Sequence, residues 1–244
     1  MFSVKGLSAE IAESNKKLIT DIALEIKPNE IHLIMGPNGA GKSSLAKALV
    51  NWPEYNVSGN VSLNNDDISE LTMEQRSLKG VLLAHQAPVE IPGVRMVDFL
   101  RIAYNLRQAE SETLDPWSFL EVFESLADKL KLDAEFAKRG VNEGFSGGER
   151  KKSEVLQMLI LEPQVAILDE IDSGVDIDAV RLIFEVINEF KTRKKASFVL
   201  VSHNSHILEY IKPDKVHLMK NGQIVETGDI KLAETVINQG YANS

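Results

Sequence analysis

Three observations in the sequence predict an α/β fold with a mostly parallel sheet, N-terminal antiparallel strands and an inserted helical subdomain. Strand-length runs that are apolar throughout alternate with longer stretches of helical periodicity. The first 30 residues instead carry amphipathic segments, as antiparallel strands do. From about Pro88 to Asn142 no strand pattern is found, only helical spacing of apolar residues.

Each element can be placed in order. Phe2–Leu7 and Ile19–Ile26 read as antiparallel strands, and Val57–Asn64 as a third. Ile31–Met35, Val81–Ala84, Val165–Leu168 and Ser197–Val201 are continuous apolar runs, suited to a sheet covered on both faces. Met96–Gln108 and Trp117–Leu132 have helical spacing, as does the run from Ser146 to Leu161. We therefore expect one domain over 1–244. Its core spans 1–87 and 162–244, and its helical subdomain spans 88–161.

The 244 residues suffice for one large domain or two packed lobes. There is no cysteine, so this chain supplies no disulfide, thiolate metal ligand or thiol nucleophile. A formal charge of −9 argues against a nucleic-acid-binding surface. No apolar run approaches a membrane span and no export signal follows Met1, so direct membrane insertion is not expected and a cytoplasmic location is.

Gly36-Pro37-Asn38-Gly39-Ala40-Gly41-Lys42-Ser43 matches the whole phosphate-loop pattern, between a buried strand and the helical run Ser44–Val50. Its glycines let backbone N–H groups turn inward on a polyanion at a helix N-terminus. Lys42 is placed to reach the outer phosphates of a bound polyphosphate, and the Ser43 hydroxyl to ligate Mg²⁺. Asp169 and Glu170 close a buried strand, at the sheet edge that borders the ligand crevice in open α/β sheets. Asp169 suits Mg²⁺ held through its water shell, and Glu170 suits activation of an attacking water. The acids that follow, Asp172, Asp176 and Asp178, do not form a calcium loop, because Ile171, Ser173 and Val180 occupy ligand positions.

Phe145-Ser146-Gly147-Gly148-Glu149 opens a second helix with a hydroxyl and free N–H groups, again suited to phosphate. One phosphate loop hardly needs a second such helix end in the same chain. Together these residues resemble ABC-type ATPases, whose signature is commonly Leu-Ser-Gly-Gly-Gln; here Phe145 and Glu149 replace its two ends. The resemblance implies a P-loop NTPase core and further site residues. Gln86 resembles the Q-loop glutamine that senses Mg²⁺ and the attacking water. Ser173-Gly174-Val175-Asp176 resembles the D-loop, and His203 the switch histidine at the γ-phosphate. It also implies a transient head-to-tail homodimer formed on ATP binding. Each site would then combine Lys42, Ser43, Ser44, Gln86, Asp169, Glu170 and His203 with Ser146, Gly147, Gly148 and Asp176 of the other copy. These ATPases often stack adenine on an N-terminal aromatic residue, yet Ser8–Leu18 contains none.

Within the superfamily, the stretch from Ser43 to Ser146 is too short for the coiled-coil insertions of repair and chromosome types, and the single cassette sets aside translation types. Gln86–Gly93, Asn142–Glu149, Asp172–Ala179, His206–Asp214 and Gln239–Tyr241 resemble the ATPase subunit of the SUF iron–sulfur assembly system (SufC type). That resemblance implies soluble scaffold partners (SufB/SufD-like) docking near Val89, Glu90, Ile91, Pro92 and Gly93, and leaves the cluster ligands to those chains. The alternative is the nucleotide-binding subunit of an ABC membrane transporter. Lys151 or Lys152, at the start of the signature helix, carries charge that could draw Glu170 away from catalysis in an isolated subunit; a solvated helix face is the simpler reading of both.

Overall fold

The computed structural model describes residues 1–85, 89–202 and 205–241. β1 (Phe2–Ile11) and β2 (Lys17–Ile26) pair antiparallel, with Phe2 opposite Ile26. β3 (Ile31–Met35) leads into the phosphate loop and α1 (Lys42–Leu49). β4 (Tyr55–Leu63) and β5 (Asp66–Asp67) complete a four-stranded antiparallel sheet in the order β2-β1-β4-β5. Its inner face, with Val4, Leu7, Ile22 and Val61, packs on Leu45 and Leu49 of α1 in one apolar cluster.

α2 (Met73–Leu78) precedes β6 (Val81–Ala84). Then come β7 (Ile91–Arg95), α3 (Met96–Asn105), α4 (Pro116–Lys129), β8 (Gly140–Val141) and α5 (Gly147–Leu161). β9 (Val165–Asp169), α6 (Ile177–Lys194), β10 (Ser197–Val201), β11 (Lys215–Lys220), β12 (Gln223–Gly228) and α7 (Ile230–Gln239) finish the chain. The main sheet has the order β12-β11-β3-β10-β9-β6, parallel except for the β12 edge. Every residue of β3, β9 and β10 is buried, which is why these strands read as unbroken apolar runs.

One expectation needs correction. The segment 88–142 was expected to hold no strand, but β7 and β8 pair there, Ile91 opposite Val141. All five residues of β7 are exposed and include Pro92 and Gly93, so neither alternation nor an apolar run marks it. Its partner lies some 50 residues on in the chain. The register exists only in three dimensions.

Two buried devices fix α1, and with it the phosphate loop. Arg76 is wholly buried, and donates from Nη1 to the Leu49 carbonyl at 2.8 Å, from Nη2 to Ser69 at 2.7 Å and from Nε to Ile68 at 3.1 Å. A cation is thereby set against the carbonyl end of α1, where the helix dipole favours it. Burial pushes its guanidinium down to about 10. The second device is the β11–β12 hairpin. Asn221 and Gly222 both have positive φ, as a two-residue hairpin turn requires. Gly222 then donates its N–H to Ala40 and accepts from Thr20, tying the phosphate loop to β2.

Candidate functional site

The phosphate loop leaves β3 at Gly36, where a Cβ would stand 2.4 Å from the Met219 carbonyl oxygen. It enters α1 through Gly41 at φ 101, so the helix begins at Lys42, two residues earlier than Ser44. Only glycine takes that turn without strain. Lys42 is buried and donates to the carbonyls of Gly36 (2.8 Å) and Pro37 (3.0 Å). Burial lowers its ammonium below the ordinary lysine value, while Glu170 and Asp169 pull it upward. The loop thus holds a charge in reserve, on carbonyls that a phosphate oxygen can replace.

Across the sheet, β9 ends at Asp169, one strand beyond β10 from the phosphate-loop strand. The Ser43 hydroxyl donates to Asp169 Oδ1 at 3.2 Å. Asp169 is 2% exposed, and that burial raises its carboxyl above the usual range, with Ser43 opposing the shift. Glu170 follows at φ 55, a left-handed conformation that glutamate seldom adopts. Its backbone is pinned on both sides: the N–H donates to Val201 at 2.9 Å, and the carbonyl accepts from Ser173 Oγ at 2.9 Å. Backbone strain of this kind persists where surrounding structure over-determines it.

A cavity of about 520 Å³ lies over these groups. The phosphate loop, Ser43, Ser44 and Glu170 form one side; Lys16, Lys17 and Leu18, at the start of β2, form the other. Among the described residues no cluster of three or more acidic or histidine side chains is poised to cage a metal. A hydroxyl and a carboxylate in contact are instead the sparse oxygen set that suits Mg²⁺ shared with substrate phosphates. The Ser43–Asp169 pair fits that ion.

The second helix end is also formed. Ser146 caps α5 in a reciprocal box: its Oγ accepts from the Glu149 N–H at 3.2 Å, and Glu149 Oε2 accepts from the Ser146 N–H at 2.8 Å. Glu149 thus serves the cap, and Arg139 pairs with it. A Cβ on Gly147 would lie 3.0 Å from the Gly174 carbonyl, so the start of α5 packs closely on the loop before α6. Asp176 caps α6, accepting from the Ala179 N–H at 2.8 Å. None of Ser146, Gly147, Gly148 or Asp176 lines the phosphate-loop cavity. Gln86 and His203 lie outside the described residues.

Sequence reasoning missed two parts of this neighbourhood. Lys16, Lys17 and Leu18 line the cavity, a role with no one-dimensional signal. Lys151 is 7% exposed, not on a solvated face, and Glu154 one turn on is equally buried. Burial pushes the Glu154 carboxyl up to about 7, while a hydrogen bond from the His85 backbone and the charge of Lys151 oppose the shift. Lys151 is held below its ordinary value by burial; Glu154 counters first, then Asp169 and Glu170. A Lys and a Glu three apart on a helix ordinarily mark a solvent face, which is why the burial of Lys151 and Glu154 was not expected.

The signature region is also bound to the segment after residue 88. Asn142 Nδ2 donates to the Val89 carbonyl at 2.9 Å, Arg150 pairs with Glu90, and Ser153 Oγ meets Asn142 Oδ1 at 3.4 Å.

Comparison with known proteins agrees with this geometry. A family model described as "ABC transporter" matches residues 19–173. A relative from Cyanidium caldarium, named "Probable ATP-dependent transporter ycf16", is 46% identical over 99% of this chain and 95% of its own length. One from Arabidopsis thaliana, "ABC transporter I family member 6, chloroplastic", is 41% identical over 99% of this chain and 72% of its own. Among solved structures, an ATP-binding cassette described as dimeric and bound to ADP and Pi superposes with a TM-score of 0.80. It is 17% identical and covers 94% of this chain and 99% of that one, a likeness of fold.

Proposed function

This chain belongs to the ABC transporter family of ATP-binding cassettes, and on that premise we propose that it hydrolyses ATP as a transient homodimer to drive rearrangement of a soluble iron–sulfur assembly scaffold. The observation that carries the catalytic part is the contact of Ser43 with Asp169 beside Glu170, under one cavity with the phosphate loop.

In this reading the loop N–H groups and Lys42 bind the phosphates, and Lys42 exchanges its two carbonyl partners for phosphate oxygens. Glu170 accepts the proton of a water that attacks the γ-phosphorus; the bond to the bridging oxygen breaks, giving ADP and phosphate. Ser43 and Asp169, with Gln86, hold Mg²⁺, which when bound neutralises charge on the β- and γ-phosphates. His203 completes the γ-phosphate contacts. Ser146 caps α5 and Asp176 caps α6, and neither they nor Gly147 and Gly148 line their own cavity, which suits donation to a second copy. Closure of two copies then builds both sites at once.

The scaffold part rests on the stretches that resemble the SufC type and on the exposed segment at the subdomain edge. Val89 is 76% exposed, and Ile91 and Val94 are exposed beside it, an apolar run unusual for a lone surface. Bonds from Asn142 and Arg150 connect that run to the signature helix. A chain without cysteine suits the role of motor, with cluster ligands on its partners. The cytoplasm is the corresponding location; among the described residues no helix is long and apolar enough to cross a membrane.

The experiment is steady-state phosphate release with and without the co-expressed scaffold pair. Low basal turnover that rises several-fold with scaffold is expected; full activity in the dilute isolated chain contradicts the assembly. The second reading is a membrane-transporter subunit, which the names of the relatives from Cyanidium caldarium and Arabidopsis thaliana favour. Co-purification from native cells separates the two: integral membrane partners favour transport, soluble ones assembly.

A further inference from the structure

Gln239-Gly240-Tyr241 follows the last strand of the chain, and no step of the mechanism above uses it. The structure nevertheless brings it to the phosphate loop. α7 buries Ala233 and Val236 in the apolar cluster that also holds Met35 and Leu218, and the Tyr241 ring packs on the same cluster. Gly240 ends the helix. Its N–H still bonds the Val236 carbonyl at 2.8 Å, but its φ of 75 and ψ of 171 have left helical space. That combination of angles is open essentially to glycine alone. The turn that delivers Tyr241 is therefore written into Gly240, not left to the helix to choose.

Tyr241 is half-buried, and a tyrosine hydroxyl taken from water seeks a partner. It finds one in the Gly36 backbone, whose N–H donates to it. Burial raises the phenol above its ordinary value while that bond opposes the rise, so the hydroxyl is neutral at physiological pH. Gly36 is where the phosphate loop leaves β3, and its other contacts are tight. An added Cβ would stand 2.4 Å from the Met219 carbonyl oxygen and 3.1 Å from the Ala40 Cβ. Its own carbonyl accepts from the Lys42 ammonium at 2.8 Å. One residue thus has its N–H on Tyr241, its α-carbon against β11 and its carbonyl on the lysine proposed to serve the phosphates. The peptide planes either side of Gly36 have little room to rotate, and the direction of the loop is set before a ligand arrives. Preorganisation of this kind lowers the cost of binding.

We propose that Tyr241 is a positioning residue for the phosphate loop: its hydroxyl holds the Gly36 N–H, and loss of that bond loosens the loop's grip on phosphate. The proposal rests on the ATP-site reading above and adds to that site a residue from beyond α7.

The test compares the full wild-type chain with Tyr241→Phe, which removes the hydroxyl and keeps the ring, and with Tyr241→Ala, which removes both. Each is titrated with ATP and with inorganic tripolyphosphate, and amide hydrogen exchange at Gly36 is followed by NMR. In Tyr241→Phe, Gly36 should exchange about two- to tenfold faster, as loss of one hydrogen bond allows. ATP and tripolyphosphate should both weaken by about two- to tenfold, and by the same factor, because the loop meets only their phosphates. Wild-type affinity in Tyr241→Phe, with loss confined to Tyr241→Ala, overturns the proposal and leaves the ring a packing role. Faster exchange at Gly36 with unchanged affinity also overturns it, because the bond then exists without positioning the loop. Weakening of ATP alone overturns it too, and leaves the ATP site standing. If neither ligand binds the wild type, the ATP-site reading fails and takes the positioning role with it.

Discussion

Ser43 Oγ stands 3.2 Å from Asp169 Oδ1, although 126 residues separate them in the chain. The two strands that deliver them flank β10, and the register across it (Ile34 beside Val201, Val201 beside Asp169) sets the contact. The site is thus a property of sheet order, and its groups can be tested one at a time.

Glu170 is the proposed base. Glu170→Gln keeps the shape and removes the proton acceptor, so turnover should fall by about 10²–10⁴ while nucleotide still binds. Single-turnover phosphate release beside a binding titration reads both quantities; near-normal turnover removes Glu170 from the role.

Among the described residues, Lys42 donates to the loop carbonyls of Gly36 and Pro37. Lys42→Ala should weaken ATP binding at least tenfold, because the charge-assisted bond to phosphate is lost. Thermal stability should change little. Unchanged affinity contradicts the assignment.

Glu154 predicts a pH effect with a definite sign. Its carboxyl, pushed up to about 7 by burial, holds a proton in the folded chain where the unfolded chain, near 4.5, has released it. Between those values the folded state binds more protons, so stability falls as pH rises through the window and levels off above it. At roughly 1.4 kcal/mol per unit, the loss amounts to a few kcal/mol. Denaturant midpoints of the wild type and Glu154→Gln, compared from pH 4 to 8, should diverge across that window. Parallel curves exclude the buried carboxyl as the cause.

Gly222 has φ 78, and a Cβ there would meet the Leu18 carbonyl at 2.6 Å. Gly222→Ala should cost about 1–3 kcal/mol through strain and collision. It should also displace β2 from the phosphate loop and weaken nucleotide binding. An unchanged unfolding midpoint argues against so tight a fit.

The fold was legible in the sequence where each strand is buried on both faces. β3 and β10 have the expected limits, because unbroken apolar runs end abruptly at polar loops. The phosphate loop was legible because its backbone path needs Gly39 and Gly41 at positive φ. What escaped was whatever depends on a distant neighbour. β7 exists through β8, and Arg76 looks like a surface residue until the carbonyls of Ala48 and Leu49 are placed around it. Lys151 and Glu154 mimic a solvent face, yet both are buried, and Glu154 accepts a hydrogen bond from the His85 backbone. Periodicity reports which face is apolar, and says nothing of a polar pair buried with its own partners.

The ties from Asn142 to Val89 and from Arg150 to Glu90 have a thermodynamic meaning. If a partner seated on 89–94 favours one position of the signature helix, and a second copy's nucleotide favours the same position, the two ligands must raise each other's affinity by an identical factor. A partner that speeds closure is then held more tightly while ATP is bound and released more easily after hydrolysis. Measuring either binding constant in the presence of the other ligand gives the work available per cycle, without any measurement of motion.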